Sequence, residues 1–175
     1  MIVKKNSLLF LGLFLALNSF GQTIKTINTD VFSVIYSEPY QQPLRVNYWV
    51  QCPTGDADRT GMDFYEVKGV ITSDDNDYKN NVWDKGHMAP AADFVCDGAT
   101  LRKTFSYLNC AHQNQYLNRG VWKILEGQER EWSKIDIVIV KIKLIFKENT
   151  LILCKLGIVI KMSYKCHTII TILLI

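Results

Sequence analysis

Asp84-Lys85-Gly86-His87-Met88-Ala89-Pro90-Ala91-Ala92-Asp93 sets an imidazole beside a carboxylate and an ammonium within ten residues. Downstream, LNRGVWKILEGQER over residues 117–130 adds an amide oxygen at Asn118 and a second carboxylate at Glu126. Val121, Leu125 and Trp132 recur at helical spacing, and Glu126 precedes Arg130 by four, so this second segment reads as a helix with a supporting ion pair on one face. Together the two segments carry the groups needed for metal-assisted hydrolysis of a phosphodiester, in which a Lewis acid polarises the phosphoryl group and a base deprotonates water.

Upstream of this pair, residues 45–51 alternate, with Val46, Tyr48 and Val50 opposite Asn47, Trp49 and Gln51, the period of a half-buried strand. A long polar turn over 52–61 follows, strand-like composition resumes over 62–70, and the Asp- and Asn-rich stretch 72–81 reads as a surface loop. Downstream, Ile135, Ile137 and Ile139 alternate with Asp136, Val138 and Val140, which predicts one or two strands up to Phe146. The expected class is α+β, an antiparallel sheet leading into the site and a helix after it.

The two motifs, in this order, resemble the active-site signature of the DNA/RNA non-specific endonucleases of the ββα-metal superfamily. That pattern is Asp-Arg-Gly-His with a Met-Ala-Pro run, followed by Asn-x-Gly-x-Trp-x-x-Leu-Glu on the metal-binding helix, and the match covers about residues 36–133. The resemblance implies an endonuclease that acts on DNA and RNA, with His87 as general base and Asn118 as the protein ligand of Mg²⁺, Mn²⁺ being the alternative ion. It also gives Asp84 the task of orienting His87 or holding metal-bound waters. Arg59 falls where the family carries a phosphate-contacting arginine. Lys85 departs from the family's more usual arginine, so it can neutralise a phosphate as a point charge without the bidentate fork. Arg119 and Arg130 are the further substrate-binding candidates. Asn118 and Glu126 stand eight residues apart, about 12 Å along a regular helix axis, so Glu126 is expected to reach back to an outer-shell water rather than ligate the same ion. His112 stands where the family often has proline and reads as a surface-loop residue; Asn109 and Gln113 read as scaffolding and Trp122 as core.

The flanks set the context. Lys4 and Lys5 precede an apolar run over 8–17 and the small residues Ser19 and Gly21, the layout of a cleaved secretory leader over 1–21, with a retained amphipathic anchor as the alternative. Exported location, periplasmic or secreted, with no stable membrane association after cleavage, is the expectation. Loss of Lys4 and Lys5 takes the formal charge from +3 to +1, so bulk charge cannot hold nucleic acid and a local cluster must. Lys79, Lys85, Arg102, Lys103, Arg119, Lys123 and Arg130 bracket the motifs and supply the candidates.

Five cysteines cannot all pair within one chain; Cys96 with Cys110 or with Cys52 are both open, and Cys110 with His112 fits no usual zinc spacing. The catalytic domain is expected over 22–153, incomplete on its C-terminal side. Beyond Cys154 the strand pattern fails in an Ile- and Lys-rich tail over 154–175, read as a frameshifted or truncated frame. Two rival readings stay open, a catalytically dead nucleic-acid-binding remnant and a phosphodiesterase acting on small substrates.

Overall fold

The computed structural model describes residues 23–145 and the strands over 157–163 and 166–174; the expected leader lies outside the described residues. Six strands form one sheet in the order β1-β2-β3-β6-β8-β7. Strands β1 (Ile24–Asn28), β2 (Ser33–Ser37) and β3 (Gln42–Trp49) run antiparallel in succession, and β6 (Val138–Ile145) continues the sheet antiparallel to β3. A second, two-stranded ladder joins β4 (Trp83–His87) to β5 (Cys110–Asn114), with His87 opposite Cys110. Helix α1 (Gly98–Thr104) lies between them in sequence. After β5 come α2 (Gln115–Leu117), a π-helical segment Asn118–Trp122, and α3 (Lys123–Ser133). The fold is α+β, and β4, β5 and the helix that follows make up its ββα element.

The alternation in β3 survives: Val46 and Tyr48 are buried while Trp49 is exposed. In β6 the strand begins at Val138, and Val138, Val140, Ile142 and Leu144 form the inward face. Ile135 and Ile137 precede the strand and are exposed, so the inward register belongs to the even positions. The sheet's inner face packs Val34, Tyr36, Val46, Tyr48, Val140 and Ile142 against Met88, Phe94, Leu117 and Trp122, which anchors both site motifs to one core.

Two expectations are corrected. Residues 62–70 form no strand; Tyr65 makes a single bridge to Ser106, and its backbone bonds to Phe105 and Tyr107 tie the segment to the turn before β5. Residues 72–81 are not simply an exposed loop, because Thr72 and Ser73 are buried and Asp75–Tyr78 is a 3₁₀ turn whose Asp74 cap accepts the Asn76 N–H at 2.6 Å. The stretch beyond Cys154 supplies β7 (Gly157–Ser163) and β8 (Cys166–Leu174), with β8 paired parallel to β6 from Val138↔His167 to Ile145↔Leu174.

Of the open cysteine pairings, the structure makes Cys52–Cys96, with Cα atoms 5.3 Å apart, and leaves Cys110 free and buried. The bond joins the polar turn before Arg59 to the residues before α1, so it ties down the loop that carries the arginine. Val95 accepts the Ala57 N–H, and Gly55 lies so close that a Cβ there would stand 1.8 Å from the Val95 carbonyl oxygen. Only glycine admits that approach. Among the described residues, no helix is long and apolar enough to cross a membrane.

Candidate active site

Backbone pairing builds the first wall. His87 closes β4, and Asn109, fully buried before β5, holds the next residues by accepting the Ala89 N–H at 2.7 Å and donating to the carbonyls of Ala89 and Thr104 at 2.8 and 2.9 Å. Asn109 is scaffolding, as its polarity and position suggested. Gln113 has the same kind of role: its side chain covers Gly86, where a Cβ would meet Gln113 Oε1 at 2.2 Å. The glycine of the Gly86-His87 pair is therefore required by the packing of the neighbouring strand.

The helix supplies the second wall. It is not the regular helix that the spacing predicts, because Asn118 opens a π-helical segment in which Gly120 has non-helical dihedrals. Such bulges aim side chains that a regular turn would not. Here the bulge carries Asn118 and Arg119 to Asp84 while leaving Glu126 and Arg130 on the cavity side of α3.

A cavity of about 750 Å³ lies between the walls, lined by Arg59, Lys85, His87, Asn118, Arg119, Lys123, Glu126 and Arg130 together with Asp58 and several apolar residues. Seven of the eight residues nominated from the sequence thus share one cleft. The eighth, Asp84, stands behind it. Its carboxylate accepts Asn118 Nδ2 at 2.9 Å and a fork from Arg119 at 2.8 and 2.7 Å. Arg119 and Asn118 hold Asp84 below the usual carboxylate range despite partial burial. No hydrogen bond links Asp84 to His87 among the described residues, and three positions apart on a strand the two point to opposite faces. Asp84 therefore orients Asn118 and not the imidazole. Its bond to Nδ2 leaves Asn118 Oδ1 for another partner. Arg119, expected on substrate, has its fork engaged by Asp84.

His87 is packed between rings, with Phe64 at 4.5 Å and Phe105 edge-on at 4.7 Å. Burial, with Arg59 adding to it, lowers its pKa to about 3, and its Nε2 is out of solvent with no hydrogen-bond partner among the described residues. The imidazole is therefore neutral at physiological pH, and its ring forms part of the cavity wall. Lys85 is engaged as well: its ammonium bonds Asp63 and Asp75, each at 2.7 Å.

Behind Glu126 lies a group of acids that the sequence did not mark. Burial raises Asp93 to about 6, Glu126 to about 7 and Glu129 to about 8. Arg130 bonds Asp93 at 3.0 Å, and Tyr48 donates to Glu129 at 2.8 Å. Arg130 is thus both a cavity residue and the counter-ion of a buried carboxylate. In the unfolded chain Asp93 and Glu129 titrate near 3.8 and 4.5. The folded chain keeps their protons above those values, so stability falls as pH rises from about 4 through the folded values and then levels off. Thermal melts should show a midpoint at pH 5.5 more than about 3 °C above that at pH 8.5, about 1 kcal/mol for a chain of this size. Glu129→Gln, which keeps an acceptor for Tyr48, should shrink that difference; an unchanged difference would refute the assignment.

Lys79, Arg102 and Lys103 do not join the cationic group. Lys79 bonds Asn76, Arg102 lies over the Tyr65 ring at 4.4 Å, and Lys103 pairs with Asp30. His112 is not a loop residue: it lies on β5, stacked on Tyr78 at 4.5 Å. Among the described residues, no three His, Cys, Asp or Glu side chains group to hold a metal ion. Phe64, Phe105, Asp63 and Asp75 come from segments distant in sequence, with no spacing that ties them to His87 or Lys85.

Several known proteins are similar to this chain. Nuclease EXOG, mitochondrial, of Danio rerio is 35% identical over 83 residues, 46% of this chain and 24% of the relative. Endonuclease G, mitochondrial, of Bos taurus is 31% identical over 83 residues, 46% of this chain and 28% of the relative. Nuclease C1 of Cunninghamella echinulata var. echinulata is 37% identical over 86 residues, 46% of this chain and 34% of the relative. The matched part thus spans about a quarter to a third of each relative's length. A crystal structure of an EndoG/EndoGI complex superposes with a TM-score of 0.60 at 24% identity, over 65% of this chain and 50% of that one, and shares the fold. The sequence pattern described as DNA/RNA non-specific endonuclease matches residues 15–165, and the chain belongs to that family.

Proposed function

We propose that this protein is a sugar-non-specific endonuclease that hydrolyses phosphodiester bonds in DNA and RNA with a divalent cation, Mg²⁺ or Mn²⁺. The observation that carries the reading is the single cleft that gathers His87, Asn118, Glu126 and the cations Arg59, Lys85 and Lys123. His87, kept neutral by burial and lining the cleft, takes a proton from the attacking water. Arg59 and Lys123, which make no ion pair among the described residues, meet the phosphate oxygens. Contacts of this kind go to phosphate and not to base edges, so neither sequence nor sugar is selected.

The donor set fits a hard cation. Such an ion takes oxygen ligands and keeps several waters, and Asn118 offers Oδ1 because Asp84 holds the other branch of its amide. Glu126 would take a place beyond the direct ligands, on a metal-bound water. When bound, the ion would stabilise charge developing on the phosphoryl oxygens. Export is part of the same reading, supported by the leader-like segment and by the Cys52–Cys96 disulfide, a bond that oxidising compartments maintain.

The test is digestion of plasmid DNA and of RNA by the purified chain with Mg²⁺, with Mn²⁺ and with chelator. Both polymers should be cleaved, and chelator should stop it. A folded sample inert towards both with either ion overturns the proposal.

A further inference from the structure

Lys85 stands on the cavity wall two residues from His87, yet its charge is already met. Asp63 reaches it from the loop after Arg59 and Asp75 from the 3₁₀ turn before β4, both at 2.7 Å. Neither carboxylate is there by chance of a loose surface chain. Asp75 also accepts the Tyr107 hydroxyl at 2.5 Å, and its turn is capped by Asp74. The Asp63 segment is fixed on both sides: Arg102 donates to the Asp63 carbonyl at 2.5 Å, and Tyr65 pairs through its backbone with Phe105 and Tyr107. Phe64, between these anchors, is the ring packed on His87. One loop therefore touches both members of the Lys85–His87 pair.

Two carboxylates on one ammonium leave a local charge of −1 where a phosphate must approach. The Lys85 side chain is 25% exposed and lines the cavity, whereas those of Asp63 and Asp75 are 66% and 56% exposed and do not line it, so the acids are the more solvent-facing partners of an ammonium on the cavity wall. From this geometry we infer that Asp63 and Asp75 are positioning residues that withhold Lys85 from nucleic-acid phosphate, and so set the affinity of the cleft for its polymer substrate. The inference rests on the nuclease reading for the identity of the ligand. Lysine suits this arrangement because its single compact charge can be satisfied from two directions without a fixed planar fork.

The test is a double-mutant cycle read by binding. The wild-type chain, Asp63→Asn/Asp75→Asn, Lys85→Met and the triple variant would be titrated onto a fluorescent DNA duplex in chelator, by anisotropy, across a range of salt. Freeing Lys85 should tighten binding about tenfold at low salt and steepen the slope of log K against log salt by about 0.9, the value of one added phosphate contact. Both effects should vanish in the Lys85→Met background. An equal gain in that background would mean simple repulsion by the two acids and would overturn the inference. Unchanged or weaker binding by Asp63→Asn/Asp75→Asn, or no duplex binding by any of the four proteins, would overturn it as well. Thermal melts confirm that each variant is folded, and Asp63→Glu/Asp75→Glu should keep wild-type affinity. Cleavage of plasmid by the wild-type chain with Mg²⁺ is scored separately, so failure of the nuclease reading and failure of the Lys85 restraint give different results.

Discussion

Replacing His87 with alanine is expected to lower plasmid cleavage by about 10²–10⁴-fold, the range for loss of a general base, while duplex binding in chelator stays close to wild type. The imidazole contributes no charge at neutral pH, because burial against Phe64 and Phe105, with Arg59 nearby, lowers its pKa to about 3. Its removal therefore leaves the electrostatics that hold phosphate intact. The same burial fixes the pH dependence. A base with a pKa near 3 is deprotonated throughout the working range, so kcat/KM should show no acid limb near 6.5 that belongs to His87. Phe64→Ala opens the ring to water and relieves the largest cause of the shift, which should bring such a limb up towards 6.5. A limb near 6.5 in the wild-type chain that vanishes on changing Glu126 alone would agree with this assignment. One that moves with Phe64 but starts near 6.5 already in the wild type would refute it.

Asn118→Ala should be of similar size, with cleavage falling by at least about 100-fold at millimolar Mg²⁺, as expected when an ion that supplies much of the transition-state stabilisation loses its protein ligand. The change deletes Oδ1, the candidate ligand atom, and with it the bond to Asp84. Asp84 keeps Arg119, so the fold around it is held. Mn²⁺ binding followed by electron paramagnetic resonance gives a readout besides activity: the wild-type chain should bind and Asn118→Ala should not. Asp84→Asn should produce a milder form of the same defect, since a neutral amide orients Asn118 less firmly and releases Arg119. Equal Mn²⁺ binding by wild type and Asn118→Ala would remove Asn118 from the ligand role.

Much of this is legible in the sequence. The alternation at Val46 and Tyr48 gave a strand with the correct inward face, and the spacing from Val121 to Trp132 gave a helix, because local periodicity follows from backbone geometry. The two motifs nominate seven residues, six of which line one cavity that Arg59 joins from the preceding loop. The misses share a cause. Residues 62–70 have the composition of a strand, but their partners are single backbone bonds to the turn at Phe105–Tyr107 and not a ladder. His112 reads as a surface-loop residue because nothing in its neighbourhood announces Tyr78, which stacks on it from a separate segment. The π-helical bulge at Asn118 has no periodic signature strong enough to displace a regular helix.

The sequence by itself determined which groups are present: an imidazole, an amide, acids and cations, in an order that specifies the family and the α+β class. Tertiary structure alone decided how those groups are used. It turned Asp84 to Asn118 rather than to His87, set the buried Asp93 and Glu129 behind Glu126, and matched Lys85 with Asp63 and Asp75. The reason is physical. Residue type and spacing fix what a side chain can donate or accept along one element, whereas pKa, orientation and ion pairing depend on desolvation and on charges brought from distant segments, which only packing supplies.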